Sequence, residues 1–193
     1  ILSALRLSVD YTRIKKKDEI QVPQPTFLMN NEALFPGRIV RGPNLETDLP
    51  GWAGPIILLD TSPMNIASTL VEALDFGISH NWELGRFGTI RSRALATRLM
   101  HNRNQTLPGT PFVERVGHSG GPLEWRGNFG LDWTRGPLIV GWNTQYYHSY
   151  FVYNAQPLPL TPAQETARAT AILNQGSDTI PRQIYHDLIL TWR

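Results

Sequence analysis

Ser62-Pro63-Met64-Asn65-Ile66-Ala67-Ser68-Thr69-Leu70-Val71-Glu72-Ala73-Leu74-Asp75-Phe76-Gly77 is the stretch on which the fold assignment turns. Ser62 is a suitable N-cap, Pro63 fits the first helical position, where no intrahelical amide bond is lost, and Gly77 supplies a stop. Between them Ala67, Leu70, Val71 and Leu74 recur at spacings of three and four, the stripe of an amphipathic helix. This pattern predicts a helix over 62–77. A second helical segment is expected over 89–101. A third runs from Thr161 to about Asn174, because Thr161 with Gln164 forms a capping box, Pro162 sits in the first turn and Gly176 follows the end. A last helix is expected from about Pro181, with Ile184, Leu188, Ile189 and Trp192 on one face.

Strands are expected around these helices. Leu5, Leu7, Val9 and Tyr11 alternate with Arg6, Ser8, Asp10 and Thr12, the period-two pattern of a half-buried strand. Residues 15–19 read as a charged turn, and 55–60 as a short buried strand. Residues 112–153 are β-rich, with strands over 137–142 and 145–153. In the second of these Tyr146, His148, Tyr150 and Val152 point one way and Tyr147, Ser149, Phe151 and Tyr153 the other, so both faces are expected to be covered. Residues 21–54 carry Pro23, Pro25, Pro36, Pro43 and Pro50. They read as a long, Pro-rich, irregular arm with short strand pieces such as 38–41, and loops of that length are functional or lie against a partner. Pro108 and Pro111 bracket a further loop. The class expected is α+β: an antiparallel β-rich centre (112–153) with helices on one side, a helical C-terminus (161–193) and the extended arm (21–54). All of this forms a single domain or one segment of a larger assembly subunit.

Composition narrows the function classes. Of 193 residues only 18% are charged, while there are 15 Pro, 16 Gly and 6 Trp. A free monomer carries more surface charge than this, so part of the surface is expected to meet neighbours. The net charge of +2 does not mark a nucleic-acid binder by bulk electrostatics. The absence of cysteine excludes disulfides, thiolate metal sites and a Cys nucleophile. The five histidines show no metal-ligand spacing. No cofactor and no metal site are expected. No run of about 18 apolar residues occurs, and from this no membrane span is expected. The first residue is Ile1, as expected of a processed product or a fragment.

Val116-Gly117-His118-Ser119-Gly120-Gly121-Pro122-Leu123 is the stretch closest to a catalytic signature. With Leu138-Ile139-Val140-Gly141-Trp142 it resembles the nucleophile loop and pocket strand of chymotrypsin-like serine proteases. It also satisfies the Gly-x-Ser-x-Gly pattern of α/β-hydrolases. That resemblance implies Ser119 as nucleophile, with His80 or His186 as base and Asp178 behind it. The order Ser119, Asp132, His148 obeys the hydrolase rule too. His118 stands where the protease family has Asp, and Gly120, Gly121 and Pro122 block the helix that a hydrolase elbow needs. The reading preferred here is a glycine-rich turn between strands, with no catalytic residue.

Arg86, Arg91, Arg93, Arg98 and Arg103 form the densest basic run, suited to nucleic-acid phosphates or an acidic partner. On a helix Arg91 and Arg98 would share a face. Trp125 and Trp133 are expected at an interface, since Trp and Arg dominate interface hot spots. Taken together, the residues point to a non-catalytic structural subunit or segment of a larger assembly, binding copies of itself or companion subunits and, through the 86–103 segment, RNA or DNA. Its composition resembles that of the coat (capsid) proteins of non-enveloped viruses, which would imply a virion component. The alternatives are a serine hydrolase built on Ser119, and a nucleic-acid-binding module built on 86–103. Either of those would be soluble and cytoplasmic.

Overall fold

The computed structural model describes residues 5–106 and 110–193. The chain divides into two compact bodies. The first comprises residues 1–16, 69–105 and 109–193, and the second 17–68 and 106–108. The loop expected around Pro108 lies outside the described residues.

The first body is built on long antiparallel strands. These are β1 (Leu5–Gln21), β4 (Met64–Glu83), β5 (Thr89–Gln105), β8 (Trp125–Arg135), β9 (Leu138–Tyr147) and β12 (Gln183–Trp192). Each lies beside the next in the order β1-β4-β5-β8-β9-β12, and the short β6 (Val113–Glu114) pairs with β5. The remaining short elements are β2 (Ile39–Arg41), β3 (Ile56–Leu59), β7 (His118–Ser119), β10 (Tyr150–Asn154) and β11 (Thr179–Ile180). A small sheet runs β11-β10-β7, and β2 pairs with β3. The helices are α1 (Pro25–Asn30) and α2 (Pro162–Gln175).

This architecture replaces the expected α+β class with a mostly antiparallel β protein. Three of the expected helices are strands. Residues 62–77 lie mainly in β4, 89–101 in β5, and the C-terminal segment in β12. The reason is an ambiguity of period. Leu70, Leu74 and Ile78 satisfy i, i+4 spacing, yet all are also even-numbered and share one face of a strand, while Ala67 and Val71 of the expected stripe fall on the other. Ala73, Asp75, Gly77 and Ser79 fill the other face. Gly77 does not stop the element. It sits in mid-strand, where a side chain would collide with the Ser8 hydroxyl of β1. The same holds at the C-terminus, where Ile184, Leu188 and Trp192 are alternate residues of β12.

The 161–174 helix is present as α2. The Thr161 hydroxyl accepts the Gln164 N–H, and the Gln164 side chain accepts the Thr161 N–H, closing the capping box. Gly176 ends the helix in the left-handed region, at φ 73°. Strand β1 continues through residues 15–19, which are not a turn, although Asp18 takes φ 53° there. Residues 145–153 are split between β9 and β10, in different sheets, and Tyr147 is exposed, so the expected two-sided cover is absent.

The second body contains a closed core. The expected irregular arm includes α1, a 3-10 turn and the β2–β3 hairpin, with Ile39 opposite Leu59. Leu28, Phe35 and Ile39 are buried together, and Phe27, Leu59, Met64 and Ile66 pack against them. The 55–60 segment forms β3 as expected in type, but Ile57 is largely exposed and the strand is not a buried one. Arg41 spans this body, donating to both oxygens of Glu32 and to the Gly54 carbonyl. Its hydrogen bonds hold the Glu32 carboxyl below the usual carboxylate range.

Candidate functional site

The serine loop is held by its own backbone. Gly117 N–H donates to Pro122 O at 2.9 Å, Gly121 N–H to His118 O at 2.9 Å, and the Arg115 guanidinium to Gly120 O at 2.7 Å. Gly117 and Gly120 both take φ 71°, the left-handed region in which glycine is unstrained. Two of the loop's amides, at Gly117 and Gly121, are therefore engaged by carbonyls. Ser119 ends β7 beside Asn154 of β10. The His118 ring turns to Val116 O, at 3.1 Å, and packs on Phe151 and Tyr153.

The structure does not bring the alternative triad together. His80 is buried in β4 against Trp82, with its Nδ1 unpaired. His186 lies in β12 with its Nδ1 2.9 Å from the Thr144 hydroxyl. Asp178 uses its carbonyl to accept from Val152, and Asp132 and His148 belong to β8 and to the residues after β9. Beside the loop, Phe112, Glu114, His118, Tyr153, Asn154 and Arg168 line a recess of about 350 Å³. No group of three or more His, Cys, Asp or Glu side chains able to hold a metal occurs among the described residues.

Glu114 organises the edge of this region. It receives His101 Nδ1 at 2.8 Å, Arg103 Nε at 2.9 Å and the Asn102 N–H at 2.8 Å. Burial pushes its pKa up, but these bonds and one from Val116 N–H outweigh it and hold the carboxyl below its ordinary value.

The five arginines do not form one stripe. Because 89–105 is a strand, Arg91 and Arg93 lie on one face of β5 and Arg98 on the other. Arg98 bonds Glu124 and lies over the Trp125 ring. Arg103 is tied to Glu114, and Arg86 lies over Phe87.

The informative geometry is the alternation across β5, β8, β9 and β12. On one face, successive rows read Ile90-Trp133-Val140-Leu190, Ser92-Leu131-Trp142-Leu188, Ala94-Phe129-Thr144-His186 and Ala96-Gly127-Tyr146-Ile184. On the other they read Arg91-Asp132-Gly141-Ile189, Arg93-Gly130-Asn143-Asp187, Leu95-Asn128-Gln145-Tyr185 and Thr97-Arg126-Tyr147-Gln183. One face is apolar and aromatic, the other polar. Yet no side chain of β8, β9 or β12 is buried. Leu188 is 75% exposed, Leu190 72% and Trp192 74%.

Aromatic residues occur along the whole apolar face, with Phe129 and Trp142 packed edge to face in its middle rows. At one end Trp82 donates to the Ser92 hydroxyl, Trp133 donates to Phe87 O at 2.8 Å, and Trp192 stands opposite Leu138. At the other end Trp125 stacks on Phe76, and Tyr146 stands opposite Gly127. The two tryptophans expected at an interface, Trp125 and Trp133, thus lie at opposite ends of this face.

No match was found for this chain among protein-family models, curated proteins or solved structures.

The connections alternate in length. β4 joins β5 through residues 84–88, and β8 joins β9 through Gly136 and Pro137, both at one end of the sheet. Gly136 takes φ 57°, the left-handed conformation that so short a turn requires. The connections from β5 to β8 and from β9 to β12, at the opposite end, span 106–124 and 148–182 and carry the serine loop and α2. Sequence reading missed Leu131, Trp142, Leu188 and Leu190 as members of one surface. The signal was present as period-two alternation over 183–192.

Proposed function

We propose that this chain contributes a section of the wall of a membrane-spanning antiparallel β-barrel, a non-catalytic structural role within a larger assembly of strands. The observation that carries this reading is the uncovered apolar face, built of alternate residues of β8, β9 and β12 and rich in aromatic side chains along its length. Outer-membrane barrels combine those features with a polar inner face, short turns at one end and long loops at the other. Strands β8, β9 and β12, of 11, 10 and 10 residues, match the span of about 9–11 tilted residues that a bilayer needs. From Trp133 to Trp125 the apolar rows extend about 27 Å along the strand. Tilted by about 40°, that row projects to about 21 Å along the membrane normal, shorter than the apolar band of about 25 Å that such barrels present.

Exposure within the sheet points the same way: Leu188, Leu190 and Trp192 each leave most of their surface open. In lipid an exposed Leu is at no disadvantage, and every backbone group of an interior strand is already paired. No helix among the described residues is long and apolar enough to cross a membrane. The six long strands among the described residues are fewer than the smallest such barrel contains, so the edges of β1 and β12 would pair with further strands. A coat shell, expected from composition, would also cover the apolar face, but it gives no reason for connections that alternate in length.

The cysteine-free sequence provides the test. Leu188→Cys, Ile189→Cys and Leu190→Cys each introduce a single thiol into the full chain. After reconstitution into phospholipid vesicles, a water-soluble maleimide should label position 189 and leave 188 and 190 protected. Equal labelling at all three positions, or closed particles that sediment without lipid, would overturn the membrane reading, and the second result would favour the shell.

A further inference from the structure

We propose that the recess over Gly130, on the polar face, is a binding site for an oxyanion-bearing solute, a carboxylate or a phosphate, gripped by the Arg93 guanidinium. Arg93, Gly130 and Asn143 are neighbours in one row across β5, β8 and β9. Gly130 is buried, and Arg93 arches over it. A Cβ at position 130 would stand 3.0 Å from Arg93 Nε and 3.3 Å from its Cγ. The missing side chain therefore leaves the space in which the arginine lies flat.

The recess has a volume of about 400 Å³ and is lined by Arg93, Leu95, Asn128, Asn143, Gln145 and Tyr147 around Gly130. Its one charged side chain is cationic, and three amides surround it. The Tyr147 hydroxyl donates to Gln145 Oε1 at 2.9 Å, which occupies that oxygen and leaves the Gln145 amide nitrogen as the free donor. Asn128 and Asn143 add further N–H groups.

Arg93 is not committed to a carboxylate of its own chain. Arg98 and Arg103 of the same strand have carboxylate partners at 3.3 and 2.9 Å, while Arg93 makes no ion pair among the described residues. The nearest acid of the adjoining row, Asp132, leans the other way, over Gly141, where a Cβ would meet its Oδ1 at 3.2 Å. Asp187 closes the Arg93 row three strand spacings away, about 14 Å, beyond the screening length of about 8 Å at physiological salt. A planar fork of N–H donors with no competing carboxylate suits bidentate capture of a carboxylate or phosphate. The recess belongs to the polar face whether or not the opposite face meets lipid.

The full chain, in vesicles or detergent, is titrated with sodium acetate, inorganic phosphate and the uncharged polyol erythritol. Binding is read by saturation-transfer NMR for the organic solutes and by phosphorus line width for phosphate. Acetate or phosphate should bind and erythritol should not, and the stronger of the two anions identifies the group recognised. Arg93→Gln should weaken binding at least fivefold, Arg93→Lys less, and Gly130→Ala should weaken it by displacing the arginine. Arg91→Gln should leave it unchanged. If Arg93→Gln does not fold, Arg93→Lys and Gly130→Ala carry the comparison. Equal binding of all three solutes, or anion binding indifferent to these variants, would overturn the site. Loss of this site alone would leave the protection pattern at positions 188–190 untouched, so the two readings fail separately.

Discussion

Two regions of this molecule treat some of their apolar side chains differently. The body formed by residues 17–68 encloses a small group, with Leu28 fully buried and Phe35 and Ile39 each 8% exposed, while Leu34, Leu45, Trp52 and Ile57 of the same body stay open. The strands β8, β9 and β12 leave theirs open in continuous rows. The first region removes a few apolar side chains from solvent within its own chain. In the second, no side chain of β8, β9 or β12 is buried, and the membrane reading proposed above places its apolar rows beside lipid. Low charge and abundant Trp, read from composition alone, average over both regions and conceal the contrast.

The largest effect that would sharpen this comparison is expected in the closed core. Leu28→Ala should cost about 2–5 kcal/mol, the range for emptying a well-packed site, measured as denaturant unfolding of the 17–68 body by amide exchange. A cost near zero would mean that the core is not closed. Next comes Leu188→Arg, expected to cost about 2–4 kcal/mol for a charge facing the hydrocarbon, read as folding stability in vesicles. Ile189→Arg, one residue along and on the polar face, should cost far less. Equal costs at 188 and 189 would erase the difference between the faces.

The smallest effect concerns the loop end. Because the folded protein holds the Glu114 carboxyl below its ordinary pKa, the bonds it accepts favour the fold above the normal carboxylate range. That contribution is lost as pH falls through the depressed value. The protection factors of Asn102 and Val116, whose N–H groups it accepts, should therefore fall on acidification once the intrinsic slowing of exchange at lower pH is divided out. Glu114→Gln should show faster exchange at neutral pH and a flatter pH dependence. An unchanged profile in the variant would remove Glu114 as the organiser of that edge.

Part of the fold is legible in the order of the residues. The alternation of Leu5, Leu7, Val9 and Tyr11 marks β1, and Thr161 with Gln164 marks α2. The residues of the polar recess are only half visible there. Arg93 stands out within a basic run, but Gly130 and Asn143 carry no local mark, since they become its neighbours only through strand pairing. The membrane reading is hidden for a related reason. A search for long apolar runs detects helices, whereas a spanning strand interrupts its apolar residues with polar ones at every second position.

Where a structure is secured by bonds within a few residues, the sequence determined it alone. The capping box of α2 closes between positions three apart, and the turn at Gly136 needs only a residue tolerant of positive φ. The tertiary structure decided the rest. Spacings of four residues fit both a helical face and a strand face, so 64–83, 89–105 and 183–192 carried no unique local instruction. Hydrogen bonds to partner strands distant in the chain selected the extended form, and that choice sorted Leu188 from Ile189 and Arg93 from Arg98.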